Sequence, residues 1–310
     1  MKLLSLKLPL RAEKKKYPKD SYPIFKDNKD TKYWITKDDM FCKSKVIYIP
    51  NSNSFYNEVM ISSYLKTKEN NKYINPPLFF SFDDDGNSVL YQKAVKDTDL
   101  ITFINENRNM PKLLLCKYFL QSIKNIIPYL YKNKIVHNDF ALENFMIDFV
   151  TMDICLIDFG LAEIYNEDRD YIFNQVKYIF SRRNLINPNF LLDNKFMEVI
   201  NRDKIFETLF KKDMFSIGLI LYSVYTGLHF WNNDRSISLD QKIADINDLH
   251  DKINEIIEKD FDSQKSLVLR IIKGLTQLES KNIISVEDLV KLIQEFEIAS
   301  ENKKRKDIPL

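Results

Sequence analysis

At 310 residues the chain is long enough to bury about three quarters of its unfolded surface, and it lies near the size at which one core divides into two. Forty-six lysine and arginine residues against forty-four aspartate and glutamate leave a net charge of +2, which excludes the global field that gathers nucleic acid or membrane lipid. Three cysteines, Cys42, Cys116 and Cys155, sit apart in apolar contexts without metal-ligand spacing and read as core residues of a reducing compartment. The opening MKLLSLKLPLRAEKKK has too interrupted an apolar run for a secretory signal, and no stretch approaches the ~18 apolar residues of a membrane span. A soluble, cytoplasmic protein with no nucleic-acid partner and no membrane span is expected.

Residues 1–32 are charged and proline-punctuated, and predict an irregular, basic start. Residues 33–49 alternate well enough for two strands separated by Lys37-Asp38-Asp39, the second carrying Lys43 and Lys45. Pro76-Pro77 leads into Leu78-Phe79-Phe80, and past the turn at residues 83–87 the chain runs on through residues 88–91, a hairpin pattern. Within residues 110–132, Leu115, Phe119, Ser122, Ile126 and Leu130 recur at helical steps, entered at Pro111. Phe145-Met146-Ile147 and Ile154-Cys155-Leu156-Ile157 are short apolar runs bounded by polar turns, and predict a pair of buried strands. Residues 195–209 read as a further helix. From Asp213 the sequence DMFSIGLILYSVYTGLHFW is apolar on all sides, a helix buried in protein. Three helical patterns follow near 240–258, 263–277 and 285–298, the last opened by the capping-box-like Ser285-Val286-Glu287-Asp288. The tail ENKKRKDIPL is expected to be mobile.

Chemistry concentrates in IVHNDFALENFMID and in the CLIDFGLAE that follows. They hold His137, Asp139, Asn144 and Asp158 at fixed offsets. Transfer of a nucleotide's terminal phosphoryl group needs little covalent help; it needs an aimed nucleophile and neutralised charge, commonly by magnesium. A carboxylate beside the acceptor hydroxyl orients it and takes its proton, which suits Asp139. Magnesium keeps several waters and prefers hard oxygens, so the Asp158 carboxylate and the Asn144 amide oxygen suffice as protein ligands. A hairpin of the two apolar runs would hold those ligands side by side.

His137-Asn138-Asp139 with Asn144 resembles the catalytic-loop motif of the eukaryotic-type protein kinases, and Asp158-Phe159-Gly160 matches their metal-binding triplet. Asp213-Met214-Phe215-Ser216-Ile217-Gly218 resembles their central buried helix. The resemblance covers about residues 33–298. It implies an α+β, bilobal kinase-like fold: a basic segment 1–32, a small β-rich lobe 33–92, a larger helical lobe 93–300 with an extra helical insertion near 190–210, and a tail 301–310. It implies ATP and Mg2+ as cofactors, a protein substrate, and an activating protein or ligand as a further partner. By the same resemblance Lys43 holds the inner phosphates and Glu58, in FYNEVMISSYL, pairs with it, with Lys45 as a rival to Lys43. Gln92 and Ala94 lie at a hinge whose backbone reads the adenine edge, and residues 178–181 face the substrate.

The departures are specific. The family's phosphate-covering loop is rich in glycine because only a residue without Cβ lets backbone N–H groups come close enough. This chain has five glycines, and KDNKDTKY stands at that place, leaving Lys26, Lys29 or Lys32 to cover the nucleotide or leaving it poorly held. Asn138 replaces the arginine that pairs with a phosphorylated activation loop, Ala141 replaces a lysine usual in serine/threonine kinases, and no Ala-Pro-Glu triplet or closing arginine is present. The leading reading is transfer to a protein hydroxyl, serine or threonine ahead of tyrosine. A pseudokinase acting as scaffold or activator, and a small-molecule kinase of the choline or aminoglycoside type, are the alternatives.

Overall fold

A computed structural model gives the architecture and describes residues 22–28, 31–35, 41–47, 52–77, 79–82, 88–93, 98–165, 205–231, 237–259 and 263–306. In chain order the elements are β1 (Tyr22–Asn28), β2 (Thr31–Ile35), β3 (Phe41–Ile47), α1 (Ser52–Leu65), β4 (Phe79–Phe82), β5 (Ser88–Lys93), β6 (Thr98–Asp99), α2 (Leu100–Glu106) and α3 (Lys112–Lys132). Then follow β7 (Ile135–Val136), β8 (Phe145–Ile147), β9 (Ile154–Leu156), β10 (Glu163–Ile164), α4 (Ile205–Thr226), α5 (Leu239–Lys259), α6 (Ser263–Leu275) and α7 (Val286–Lys306). The chain divides into two compact units, one of residues up to 100 with 143–164, the other of residues 101–142 with 165 onward. The first carries the five-stranded and three-stranded sheets and the second the long helices, the α+β class expected.

In the first unit five antiparallel strands take the order β1-β2-β3-β5-β4. The β4–β5 hairpin forms as expected, pairing Phe79 with Tyr91 and Phe82 with Ser88. β1 was not foreseen, since it lies within the stretch expected to be irregular. Pro23 hid it, but β1 is an edge strand, where a missing N–H is tolerated. The ladder runs as far as Asn28 opposite Thr31, with Lys26 opposite Lys32. The Ser62 hydroxyl donates to the Pro77 carbonyl and ties α1 to the entry of β4. A second sheet, in the order β6-β8-β9, explains why residues 143–164 belong to this unit.

In the second unit α4 is the core helix, packed by α3 and α6, with α7 against both of those. Phe210, Met214, Phe215, Leu219, Ile220 and Val224 are all buried, so the apolar surround seen in sequence is filled by protein. Lys124 pairs with Glu297 at 2.7 Å between α3 and α7. Lys211 donates to the carbonyls of Ile283 and, at 2.9 Å, Ile284, fastening α4 to the chain entering α7. There Ser285 caps the helix: its hydroxyl accepts from the Asp288 N–H at 3.0 Å and donates to the Asp288 carboxylate at 2.8 Å.

Gly218 sets the spacing of α4 and α6. A Cβ there would meet Thr276 Cγ2 at 2.7 Å and Leu275 Cβ at 2.8 Å. Alanine gains helix propensity but overpacks a contact that has no room, and Gly218→Ala is expected to cost about 1–2 kcal/mol net. Urea unfolding checks this, and an unchanged or raised midpoint would contradict the tight approach.

Cys116 and Cys155 are buried free thiols, and burial pushes the Cys116 thiol up, as their reading as core residues requires. Among the described residues no helix is long and apolar enough to cross a membrane. The helix expected over 195–209 lies outside the described residues up to 204, and residues 205–209 open α4. Ala94 and residues 178–181 also lie outside them.

Candidate active site

The catalytic-loop motif sits in the second unit, between α3 and α4. α3 ends at Asn133, whose N–H donates to the Tyr129 carbonyl at 3.1 Å; the Lys134 N–H donates to the Tyr131 carbonyl at 3.1 Å, and Lys134, with φ 53°, turns the chain into β7. The segment that follows is buried, and its amides need acceptors. Asp213 on α4 supplies them: one carboxylate oxygen accepts from the His137 N–H at 2.6 Å, the other from the Asn138 N–H at 3.0 Å. Burial pushes the Asp213 carboxyl up to about 6, against the nearby charge of Lys212 and the two N–H groups, which lower it.

Asn138 has φ 64°, the left-handed region that asparagine enters more cheaply than most residues. Its side-chain oxygen accepts a hydrogen bond from Lys212 Nζ at 2.6 Å. The His137 ring is fully buried and lies over Phe140, ring centroids 4.8 Å apart. Asp139, 4% exposed, thus follows two residues fastened to one rigid helix.

The candidate metal ligands belong to the first unit. A short 3-10 turn, Leu142–Asn144, runs into β8, and β8 pairs with β9 through Phe145 opposite Leu156. One step further the Ile157 N–H donates to the Asn144 carbonyl at 2.9 Å, which sets Asn144 beside the residue preceding Asp158. β9 is held from the other side, where Leu156 exchanges backbone hydrogen bonds with Tyr73 and Asn75. Asp158 has φ 61°, a conformation that costs a non-glycine residue energy and recurs at functional sites. The Gly160 N–H donates to the Asp158 carboxylate at 3.3 Å, and Phe159 is fully buried.

Other residues cluster around these. On α1 the Asn57 amide donates to the Gly160 carbonyl at 3.2 Å, and the next residue, Glu58, is 2% exposed. A carboxylate buried to that degree is stable only with a cation or several donors beside it. Lys43 stands opposite Gln92 on β5 and Tyr33 on β2, and Lys45 opposite Leu90 and Thr31. Of the residues singled out from sequence, Asn144 is therefore brought beside Asp158 and Lys43 opposite Gln92.

Sequence reading missed Lys212 and Asn57. Lys212 had one signal, a lysine inside a helix that is apolar on every side. Asn57 had none, because its partner is a main-chain carbonyl far along the chain. The donor set fits magnesium: Asn144 and Asp158 offer one amide oxygen and one carboxylate at neighbouring positions, the hard, sparse ligation that ion accepts.

A family model described as Protein kinase domain matches residues 42–292. Smooth-muscle myosin light chain kinase of Gallus gallus is 28% identical over 219 residues, 66% of this chain and 10% of that protein. Serine/threonine-protein kinase PKH2 of Saccharomyces cerevisiae is 24% identical over 177 residues, 54% of this chain and 15% of its own length. Serine/threonine-protein kinase ppk25 of Schizosaccharomyces pombe is 39% identical over 54 residues, 17% of this chain and 13% of that protein. The chain thus spans between 10% and 15% of the length of these relatives. With the family's match extending from β3 to α7 and its two motifs lying on the catalytic loop and after β9, the chain belongs to the protein kinase family.

Proposed function

We propose that the chain is an active protein kinase that transfers the γ-phosphoryl group of ATP to a protein hydroxyl, with serine or threonine as the acceptor. The observation that carries this reading is the meeting of Asn144 with the Ile157–Asp158 step across the β8–β9 ladder. A scaffold has no chemical use for that pair. Asp139 orients the acceptor hydroxyl and takes its proton. Asn144 and Asp158 would hold Mg2+, which would supply charge neutralisation for the phosphates. Lys43, or Lys45 as the rival, supplies the cation that buried Glu58 requires and holds the inner phosphates. The backbone at Gln92 and Ala94 reads the adenine edge. The protein works in the cytoplasm on a protein substrate, and its dependence on an activating partner is open to the same assay.

The β1–β2 ladder favours a second reading, a pseudokinase that acts as scaffold or activator, because main-chain groups paired as far as Asn28 and Thr31 are not free to cover a nucleotide. Purified protein incubated with radiolabelled ATP and magnesium, beside Asp158→Ala, separates the two. Label on serine or threonine that falls by about a hundredfold or more in the variant is the expected result. Label on tyrosine overturns the acceptor assignment. Bound nucleotide without label moves the conclusion to the scaffold.

A further inference from the structure

Lys212 is a charged side chain in a place that excludes water. It stands on α4 among Phe210, Met214, Phe215 and Leu209, all buried, and is itself 2% exposed. Lysines on helices usually keep the ammonium in water and bury only the stem. Burying the ammonium costs several kcal/mol after relaxation, and only close, well-placed partners offset that. One such partner is a side chain of the catalytic loop, Asn138, whose Oδ1 accepts from Lys212 Nζ at 2.6 Å.

The next residue on the same helix, Asp213, takes the Asn138 main-chain N–H at 3.0 Å. Two consecutive residues of a rigid helix therefore grip Asn138 from two directions, one by its backbone and one by its side chain. A residue held at both points loses freedom in φ and χ1 together, and the φ it is held at is 64°. Asp139 is the next residue along. An error of about 1 Å in a reacting group costs on the order of a hundredfold in rate, so the conformation of Asn138 bears on catalysis without touching a substrate.

We infer that Lys212 is a positioning residue of the phosphotransfer site, holding Asn138 in its left-handed conformation so that the Asp139 carboxylate faces the acceptor hydroxyl, a role that rests on the reading of the chain as an active kinase. The competing account makes Lys212 only a counter-charge for buried Asp213. In that account the bond to Asn138 is incidental.

The full chain, Lys212→Met, Lys212→Arg, Asn138→Gly and the Met–Gly double variant decide between them. Methionine keeps the buried volume, and glycine reaches φ 64° without strain, so each removes the bond while sparing the fold. Positioning predicts a kcat loss of about tenfold to a hundredfold in Lys212→Met with ATP affinity unchanged. It also predicts a similar loss in Asn138→Gly, no further loss in the double variant, and partial recovery in Lys212→Arg. The groups beside Asp213 are Lys212 on α4 and the main-chain N–H groups of His137 and Asn138 on the loop. Removing the Lys212 charge lets Asp213 protonate more readily, so the acid limb of kcat moves to higher pH.

A Lys212→Met kcat within about twofold of the parent overturns the inference, as do single losses that multiply in the double variant. Hydrogen exchange at the His137 and Asn138 amides gives a readout that needs no activity. Should the parent show no Asp158-dependent transfer, the kinase reading falls by itself. Faster exchange at those amides in Lys212→Met, with α4 unchanged, then still supports the hold on the loop, and unchanged exchange overturns it.

Discussion

Asp139→Asn is expected to lower kcat by about 10²- to 10⁴-fold and to leave the Kd for nucleotide unchanged. The loop that carries Asp139 is fixed by main-chain donors, the N–H groups of His137 and Asn138, which the substitution does not touch. Asparagine matches aspartate in shape, so the side chain keeps its place in a site where only 4% of the residue is exposed. What it loses is the ability to accept the hydroxyl proton. Single-turnover transfer with calorimetric titration of the nucleotide reads both quantities on one preparation. Turnover that survives would remove Asp139 from the role of proton acceptor. A joint loss of turnover and nucleotide affinity, with the melting temperature unchanged, would give it a part in binding the phosphates.

Elements were legible where the pattern was dense and locally punctuated. The helices expected near 240–258 and 263–277 appear as Leu239–Lys259 and Ser263–Leu275, because each buries a single apolar face and is cut by turn residues. The last helix starts where Ser285 announces it but runs on to Lys306, beyond the expected end at 298. ENKKRK contains no breaker, and its basic residues suit the negative end of the helix dipole. The β8–β9 pair was legible because two short apolar runs had only one way to bury themselves and still turn. β1 was hidden because strand propensity counts a proline against any strand, while the cost depends on whether its edge is paired. Asn57 and Lys212 stayed out of reach for a different reason. Each acts through a hydrogen bond across a large sequence separation, to Gly160 and to Asn138; Lys212 left the trace of a charge in an apolar helix, which does not name its partner, and Asn57 left none.

The largest effect on the fold is expected from Asp213→Asn, a loss of about 3 kcal/mol. The carboxylate offers two acceptors to two buried N–H groups, whereas an amide offers one oxygen and points an NH2 group at the other donor. The variant also removes the negative charge beside buried Lys212. The pH dependence gives this prediction its sign. The Asp213 carboxyl rises from 3.8 in an unfolded chain to about 6 in the fold, so between those values the native state holds more protons than the unfolded state. Its contribution to stability is therefore fully present at low pH and is lost as pH rises through about 6. Groups common to both proteins titrate alike and cancel, so the stability gap between parent and Asp213→Asn should be wider near pH 5 than near pH 7. Catalysis runs the other way, because both N–H groups find an anionic acceptor only above about 6, and kcat should fall with acid while this part of the stability rises. Urea unfolding of both proteins at the two pH values measures the gap. A gap that widens toward neutral pH would mean that the Lys212 charge and the two N–H groups outweigh burial at Asp213, and that its carboxyl is not pushed up in the fold.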